Sequence, residues 1–140
     1  MMRRTTEGAS LPEAFTIVSL AAVDDAAPRN GFGDRWEARV AREALRAERT
    51  GVALFRLRPG KRSPFTHRHS EAEEIYVVLS GSGRIKLDEQ LVDVGPLDSI
   101  RVAPATARAF EAGPEGLEFL AFGPHHPGDG EPVQDAWTDP

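Results

Sequence analysis

Apolar and polar residues alternate along the chain from Gly51 onward, in short runs that Gly, Pro and Asp separate. The runs, in chain order, are GVALFRLR, EIYVVLS, RIKLD, QLVDV, DSIRVAP, RAFEA and LEFLAFG. Alternation with a period of two, together with many β-branched and aromatic residues, predicts strands with one buried face. Short strands at such intervals, with no helical segment between them, are typical of an all-β sandwich or closed barrel.

Three sites between these runs have the composition of turns. Pro59 and Gly60 suit the two central positions of a type II turn. Asp88 and Glu89 lie between two strand-like runs, which predicts a hairpin. The stretch GSG at residues 81–83 predicts a turn that ends the strand EIYVVLS and leads into the next one.

The segment 34–49 has features of both helix and strand. Its arginines recur at alternating spacings of four and three, which favours a helix; they are Arg35, Arg39, Arg42, Arg46 and Arg49. A strand centred on residues 36–40 is the alternative. We interpret the arginine stripe as a solvated face with ion pairs such as Arg39 with Glu43, rather than as a docking surface for an anion.

The segment from Gly123 onward, GPHHPGDGEPVQDAWTDP, is rich in Pro, Gly and acidic residues and is expected to be irregular. We expect its adjacent His125 and His126 in a surface loop, and Trp137 is a candidate for docking the segment on the body of the protein. The 140 residues suffice for one structural domain. The expected organisation is an N-terminal extension over 1–50 that packs on a β-barrel over 51–122, followed by the irregular tail over 123–140.

Charge and composition exclude several classes of function. The formal net charge of −5 disfavours a nucleic-acid partner, because binding to phosphates depends on clustered Lys and Arg. The absence of cysteine excludes disulfides, thiolate metal ligands and thiol nucleophiles. No run reaches membrane-spanning length and the N-terminal residues lack the apolar core of a signal peptide, so we expect a cytoplasmic protein with no membrane partner.

Two of the four histidines, His67 and His69, lie two residues apart in THRH. Residues at that spacing in a strand point to the same face, so their imidazoles would lie side by side. Among the acidic residues that follow, Glu74 shares the parity of Tyr76 and Val78, which aims it into the same interior. Two His and one Glu form a facial set suited to Fe, Mn, Ni, Zn or Cu as a divalent ion.

The stretch PGKRSPFTHRHSEAEEIYVVLSGSG resembles the first motif of the cupin superfamily, although its gap before the histidines is one residue longer than usual. The motif positions are Gly60, His67, His69, Glu74 and Gly81. A second cupin motif would fall at VGPLDSIRVAPATARAFEA. The resemblance implies a double-stranded β-helix, the jelly-roll barrel of the family, and a homodimer.

The second motif departs from the cupin pattern at Arg108, which stands where the resemblance implies a third metal-binding histidine. Arginine has no lone pair to donate and cannot ligate a metal. Three interpretations follow. The two His and Glu74 could hold an ion while Arg108 binds an anionic group of the substrate; Arg108 could replace the metal through a bidentate bridge to Glu74; or the residues could be remnants without chemistry.

The resemblance leaves the function of this small free-standing cupin open between two classes. Cupin enzymes include dioxygenases, isomerases, epimerases and decarboxylases, so the family selects no reaction. An enzyme would use the metal on a small anionic or oxygenated molecule, with Arg108 orienting a carboxylate. The alternative is a metal-free, non-catalytic module that binds a small ligand. In either case Tyr76 and Phe110 would line the cavity beside the ligand, because they share the parity of Glu74 and Arg108.

Overall fold

One curled antiparallel sheet of eight strands makes up most of the described chain, which in this computed structural model comprises residues 14–134 and 137. The strands are β1 (Trp36–Val40), β2 (Thr50–Leu57), β3 (Thr66–His69), β4 (Glu74–Leu87), β5 (Gln90–Val94), β6 (Ser99–Val102), β7 (Arg108–Pro124) and β8 (Gly130–Val133). Within the same residues, 3-10 helices cover Leu20–Ala22 and Pro28–Asn30, and an α-helical turn, α1, covers Arg42–Leu45. The all-β fold predicted from the sequence is confirmed.

The two longest strands, β4 and β7, organise the sheet. β7 pairs with β2, with β3 and with β4, and β4 pairs in addition with β5 and β6. Along β4 the side chains alternate as the sequence predicts: Tyr76 and Val78 are buried, whereas Ile75 and Leu79 are exposed. This alternation fixes which residues of β4 face the interior of the curled sheet, and Glu74 shares their parity.

A row of aromatic rings fills that interior. The rings of Phe110 and Phe119 stack with centroids 4.0 Å apart, and Phe55 stacks on Phe119 at 5.3 Å. Trp36 lies 4.6 Å from Phe55 and extends the row to β1. These residues come from β1, β2 and β7, so the aromatic row joins neighbouring strands of one sheet.

The GSG stretch is not the turn that its composition predicts. β4 continues through it, with register shifts against β7 between Val78 and Ser80 and between Gly81 and Gly83. The glycines allow the two strands to approach closely, because a Cβ on Gly81 would lie 2.1 Å from the carbonyl oxygen of Gly116. Gly81 also has a φ of +80°. They therefore form irregularities that bend β4 while its pairing continues.

The other two expected turns are present. Gly60 has a φ of +70°, and the amide of Lys61 donates to the carbonyl of Arg58, as a type II turn at Pro59 and Gly60 requires. β4 and β5 form the predicted hairpin, with Leu87 opposite Gln90.

The helix favoured for residues 34–49 is wrong for most of that segment. Residues 36–40 form β1, which pairs with β2, and only Arg42–Leu45 is helical. Trp36 and Ala38 alternate inward as in a strand, and this burial outweighs the helical spacing of the arginines. Arg39 pairs with Glu37 rather than with Glu43, since Glu37 lies on the same face of the strand. The boundary placed at residue 50 lies inside the sheet, because β1 and the first residue of β2 precede it.

The C-terminal segment is more regular than expected. β7 extends to Pro124, the exposed His125 and His126 lie in a loop, and Gly130–Val133 then forms β8 against β3. The Pro and Gly content of this segment favours irregular structure, but residues 130–133 form a strand because the edge of β3 is available for pairing. The docking expected of Trp137 is also present, since its ring lies 4.5 Å from the guanidinium carbon of Arg62.

No helix in the described ranges has the length and apolar character that crossing a membrane requires. The homodimer and the cytoplasmic location stay predictions.

Candidate metal and ligand site

The curled sheet lines a partly open cavity of about 240 Å³. Its walls are mainly apolar and carry the aromatic row together with Phe65. Its polar groups are few and come mainly from β3, β4 and β7: they include the side chains of His67, Glu74, Tyr76 and Arg108, to which α1 adds Arg42. An apolar cavity with a few convergent polar groups is the usual form of a small-molecule site.

The three predicted metal ligands converge. His67 and His69 project from β3 with ring centroids 5.1 Å apart and planes at 87°, and Glu74 begins β4 beside them. The Oε1 atom of Glu74 lies 3.2 Å from Nε2 of His69 and 3.6 Å from Nε2 of His67. One donor atom from each residue lies within 4.8 Å of the other two.

The geometry of this triad fits a metal ion. Ligand atoms at about 2.1 Å from one ion lie about 3.0–3.4 Å apart in octahedral or tetrahedral coordination. The separations from Glu74 to the two imidazoles are close to that range. Both ring nitrogens of His69 are buried without a hydrogen-bond partner among the described residues, which is costly unless another group binds them. A metal on Nε2 would satisfy one of the two.

Glu74 is held in its ionised form. Burial raises the pKa of its carboxyl, but interactions with His67, Tyr76 and His69 outweigh that effect and lower the pKa to about 2. The hydroxyl of Tyr76 donates to Oε1 at 2.6 Å. Burial first, and the adjacent Glu74 charge second, raise the pKa of Tyr76 well above its usual value, so its hydroxyl stays protonated and remains a donor.

His69 is biased toward its neutral form, which is the form that binds a metal. Burial lowers the pKa of His69, and the neighbouring His67 and Arg108 act in the same direction, against Glu74 and Asp129. A neutral imidazole at His69 beside an ionised carboxylate at Glu74 supplies two of the three donors without a prior loss of protons from either residue.

Arg108 does not form the bidentate bridge to Glu74 that one interpretation required. Its side chain is fully buried, and its Nη1 lies 3.9 Å from Oε1 of Glu74 with no hydrogen bond between them. Nη2 donates to the carbonyl of Ala103 at 3.0 Å. Nε and Nη1 have no hydrogen-bond partner within the described ranges, so a buried cation retains two unused donors beside the cavity.

Tyr76 and Phe110, predicted to lie beside a ligand, both line the cavity, with ring centroids 5.0 Å apart. Sequence reasoning missed Asp129, whose Oδ2 lies 3.5 Å from Nδ1 of His69. It also assigned Arg42 to a solvated face, whereas Arg42 lines the cavity. Neither residue belongs to a motif, and their proximity to the site comes from the folding of distant segments.

Comparisons with known proteins point to one family. A family model described as the cupin domain matches residues 53–123, about half of the chain. A comparison with curated protein sequences finds no match.

Solved structures show the same fold at low identity. A cupin protein from Bacteroides fragilis is 23% identical with a TM-score of 0.66, and the match covers 91% of this chain and 93% of that one. The polyketide cyclase RemF from Streptomyces resistomycificus is 22% identical with a TM-score of 0.72, covering 86% and 87%. A predicted oxalate decarboxylase from Thermotoga maritima is 23% identical with a TM-score of 0.64, covering 79% and 100%. These likenesses concern the fold alone, since the activities in those names differ from one another.

Proposed function

The chain belongs to the cupin family, and from this premise we propose that it binds a divalent transition metal through His67, His69 and Glu74. We propose further that it binds or acts on a small anionic or oxygenated molecule in the adjoining cavity. The observation that carries the proposal is the convergence of two imidazoles on one ionised carboxylate, with Nε2 of His69 buried and without a hydrogen-bond partner in the described chain.

The donor set is compatible with Fe, Mn, Ni, Zn or Cu as the ion. When bound, such an ion supplies a Lewis acid that polarises an oxygen of the ligand. The protein's own residues support binding in three ways. Tyr76 fixes the orientation of Glu74 by its hydrogen bond, Arg108 offers buried donors to an anionic oxygen, and the aromatic walls exclude water.

A metal-free ligand-binding module is the second candidate. It is favoured by the position of Arg108, whose positive charge lies close enough to Glu74 to compensate the carboxylate in the absence of an ion. In that case Arg108 would take over the electrostatic role of the metal, and the cavity would bind a ligand without catalysis.

Elemental analysis of purified, untagged protein separates the two candidates. We expect near-stoichiometric metal in the wild type, loss of the metal in His67→Ala, and retention in the matched control His125→Ala, whose histidine lies in an exposed loop. A metal-free wild type together with an Arg108→His variant that acquires an ion would instead establish Arg108 as the substitute for the metal.

A further inference from the structure

We propose that the ligand of the cavity is a small aromatic carboxylic acid, and that Arg42 is a second residue that binds its carboxylate. This inference rests on the proposed function, because it concerns the ligand of the same site. Arg42 lies in α1, outside the segment that matches the cupin domain, and nothing in the cupin resemblance assigns it a role.

Two glycines line the cavity beside Arg42 and Glu74. Gly51 of β2 lies directly opposite Gly123 of β7, so both present the same face of the sheet to the cavity. A Cβ on Gly51 would lie 3.4 Å from Cβ of Arg42, and one on Gly123 would lie 3.2 Å from Cγ of Glu74. Glycine at position 123 therefore leaves room for the side chain of Glu74, and Arg42 lies within contact distance of the opposite position, Gly51.

The guanidinium of Arg42 has an unused donor. Its Nε is buried and has no hydrogen-bond partner among the residues that the structure describes, as is also true of Nε and Nη1 of Arg108. Two arginines with unsatisfied buried donors thus face one cavity, on which Glu74 is the only acidic residue among the described lining residues. Buried donors of this kind are costly unless an acceptor binds them, and a carboxylate matches the planar donor geometry of a guanidinium.

The aromatic walls of the cavity favour a ligand that contains an aromatic ring. The rings of Trp36, Phe55 and Phe119 form one wall, and Phe110 stacks on Phe119. Flat aromatic walls favour an aromatic ligand, because ring-to-ring contacts add to the burial of apolar surface. The volume of about 240 Å³ is below the range of about 300–1,000 Å³ that is usual for drug-sized ligands, which favours a single ring.

Three probes separate the contributions of charge and ring. Benzoate carries both, benzamide keeps the ring but lacks the charge, and acetate keeps the charge but lacks the ring. In titration calorimetry at fixed pH and salt, we expect benzoate to bind the wild type at least about tenfold more tightly than either of the others. Equal affinity for benzoate and benzamide, or for benzoate and acetate, would overturn the proposed ligand class.

Variants of Arg42 test its role. We expect Arg42→Gln to weaken benzoate binding about tenfold without changing the affinity for benzamide, and Arg42→Lys to recover part of the loss, since it restores the charge but not the Nε donor. Arg49→Gln is the matched control, because Arg49 is exposed and does not line the cavity. An Arg42→Gln variant that binds benzoate as tightly as Arg49→Gln would contradict the assignment.

Measuring the metal content of the same samples tests the proposed metal site separately from the proposed ligand. Benzoate binding that depends on Arg42 in a protein without metal would uphold the ligand assignment and overturn the metal site. A protein that binds metal through His67 but shows no preference for benzoate would do the reverse.

Discussion

Asp129 connects the C-terminal segment to the proposed metal ligands. Its carboxylate accepts hydrogen bonds from the amides of Ser70, Glu71 and Ala72 at 2.5, 2.9 and 2.9 Å, and also from the hydroxyl of Ser70. Its Oδ2 atom lies 3.5 Å from Nδ1 of His69. The hydrogen bond from the hydroxyl of Ser70 is the main reason that the pKa of Asp129 lies far below its usual value. No hydrogen bond joins the two groups, but an ionised carboxylate this close to Nδ1 favours the tautomer of His69 that carries its proton on Nδ1 and a free lone pair on Nε2.

Replacing Asp129 should therefore weaken metal binding without removing a ligand. We expect Asp129→Asn to lower metal affinity about 10- to 100-fold, measured by competition with a chelator of known affinity. Glu131→Gln is the control, since the carboxylate of Glu131 pairs with the exposed Arg68 and should leave the affinity unchanged. Wild-type affinity in Asp129→Asn would show that metal binding at His69 does not depend on the charge of this carboxylate.

Site residues that are close together in the sequence could be predicted from it, whereas those far from the others could not. The spacing of His67, His69 and Glu74 was enough to bring them together, because strand parity acts over neighbouring residues. Asp129 and Arg42 escaped notice because no local pattern connects them to the triad; Asp129 lies 59 residues beyond the Ser70 that it binds. Contacts at that distance depend on sheet topology, which residue patterns do not specify.

At the level of elements, β4 depends on glycine where it runs closest to β7. Gly83 lies opposite Ala112, and a Cβ on Gly83 would lie 2.1 Å from the carbonyl oxygen of Glu111. No side chain can occupy that space unless one strand moves away from the other.

A methyl group at Gly83 should therefore destabilise the barrel. We expect Gly83→Ala to lower the free energy of unfolding by about 2 kcal/mol or more, measured by denaturant titration, because the strands must separate locally. Gly95→Ala is the matched control: a Cβ there meets no described atom within 4 Å, and the change should stay within about 0.5 kcal/mol. Equal effects of the two substitutions would mean that β4 and β7 adjust freely.

The same elements show where sequence patterns failed. Strands with strict alternation, such as the first half of β4, were predicted correctly because burial of one face follows directly from the pattern. The stretch GSG has the composition of a turn but lies within β4, since glycine supports both turns and close contact between strands and only the partner strand decides between them. Likewise the arginine stripe favoured a helix over 36–40, but burial of Trp36 in the interior outweighed that preference.

For the whole molecule, ionised carboxylates link stability to pH. Burial alone would raise the pKa values of Asp25, Glu74 and Glu111, but hydrogen bonds and nearby positive groups outweigh burial and lower all three. A carboxyl with a lower pKa in the folded state stabilises the fold fully above its unfolded pKa, and this contribution is lost as the pH falls toward the folded value. The lowered pKa of His69 has the same sign, with losses beginning below about 6.5. The protein should therefore lose stability in acid.

Glu74 gives the clearest test of this dependence. Its pKa falls from the usual 4.5 to about 2, which corresponds to about 3 kcal/mol of stability in the metal-free protein. We expect that contribution to disappear between pH 4.5 and about 2. Urea titrations across this range, with a chelator present, should show a flatter dependence on pH in Glu74→Gln than in the wild type. Glu89→Gln, at an exposed turn position, should retain the wild-type dependence of the unfolding free energy on pH. An equally steep dependence in Glu74→Gln would refute the contribution assigned to Glu74.

The contact between Asp129 and His69 can form only late in synthesis, because the two residues lie far apart in the sequence. A ribosome that adds about 5–20 residues per second needs about 3–12 s to cover the 59 residues between Ser70 and Asp129. For that interval the emerging chain carries His67, His69 and Glu74 without the carboxylate that lies near Nδ1 of His69 and without β8 beside β3. Under the proposed function, binding of a metal at His69 with Asp129 in place therefore requires that β8 has already joined the sheet beside β3.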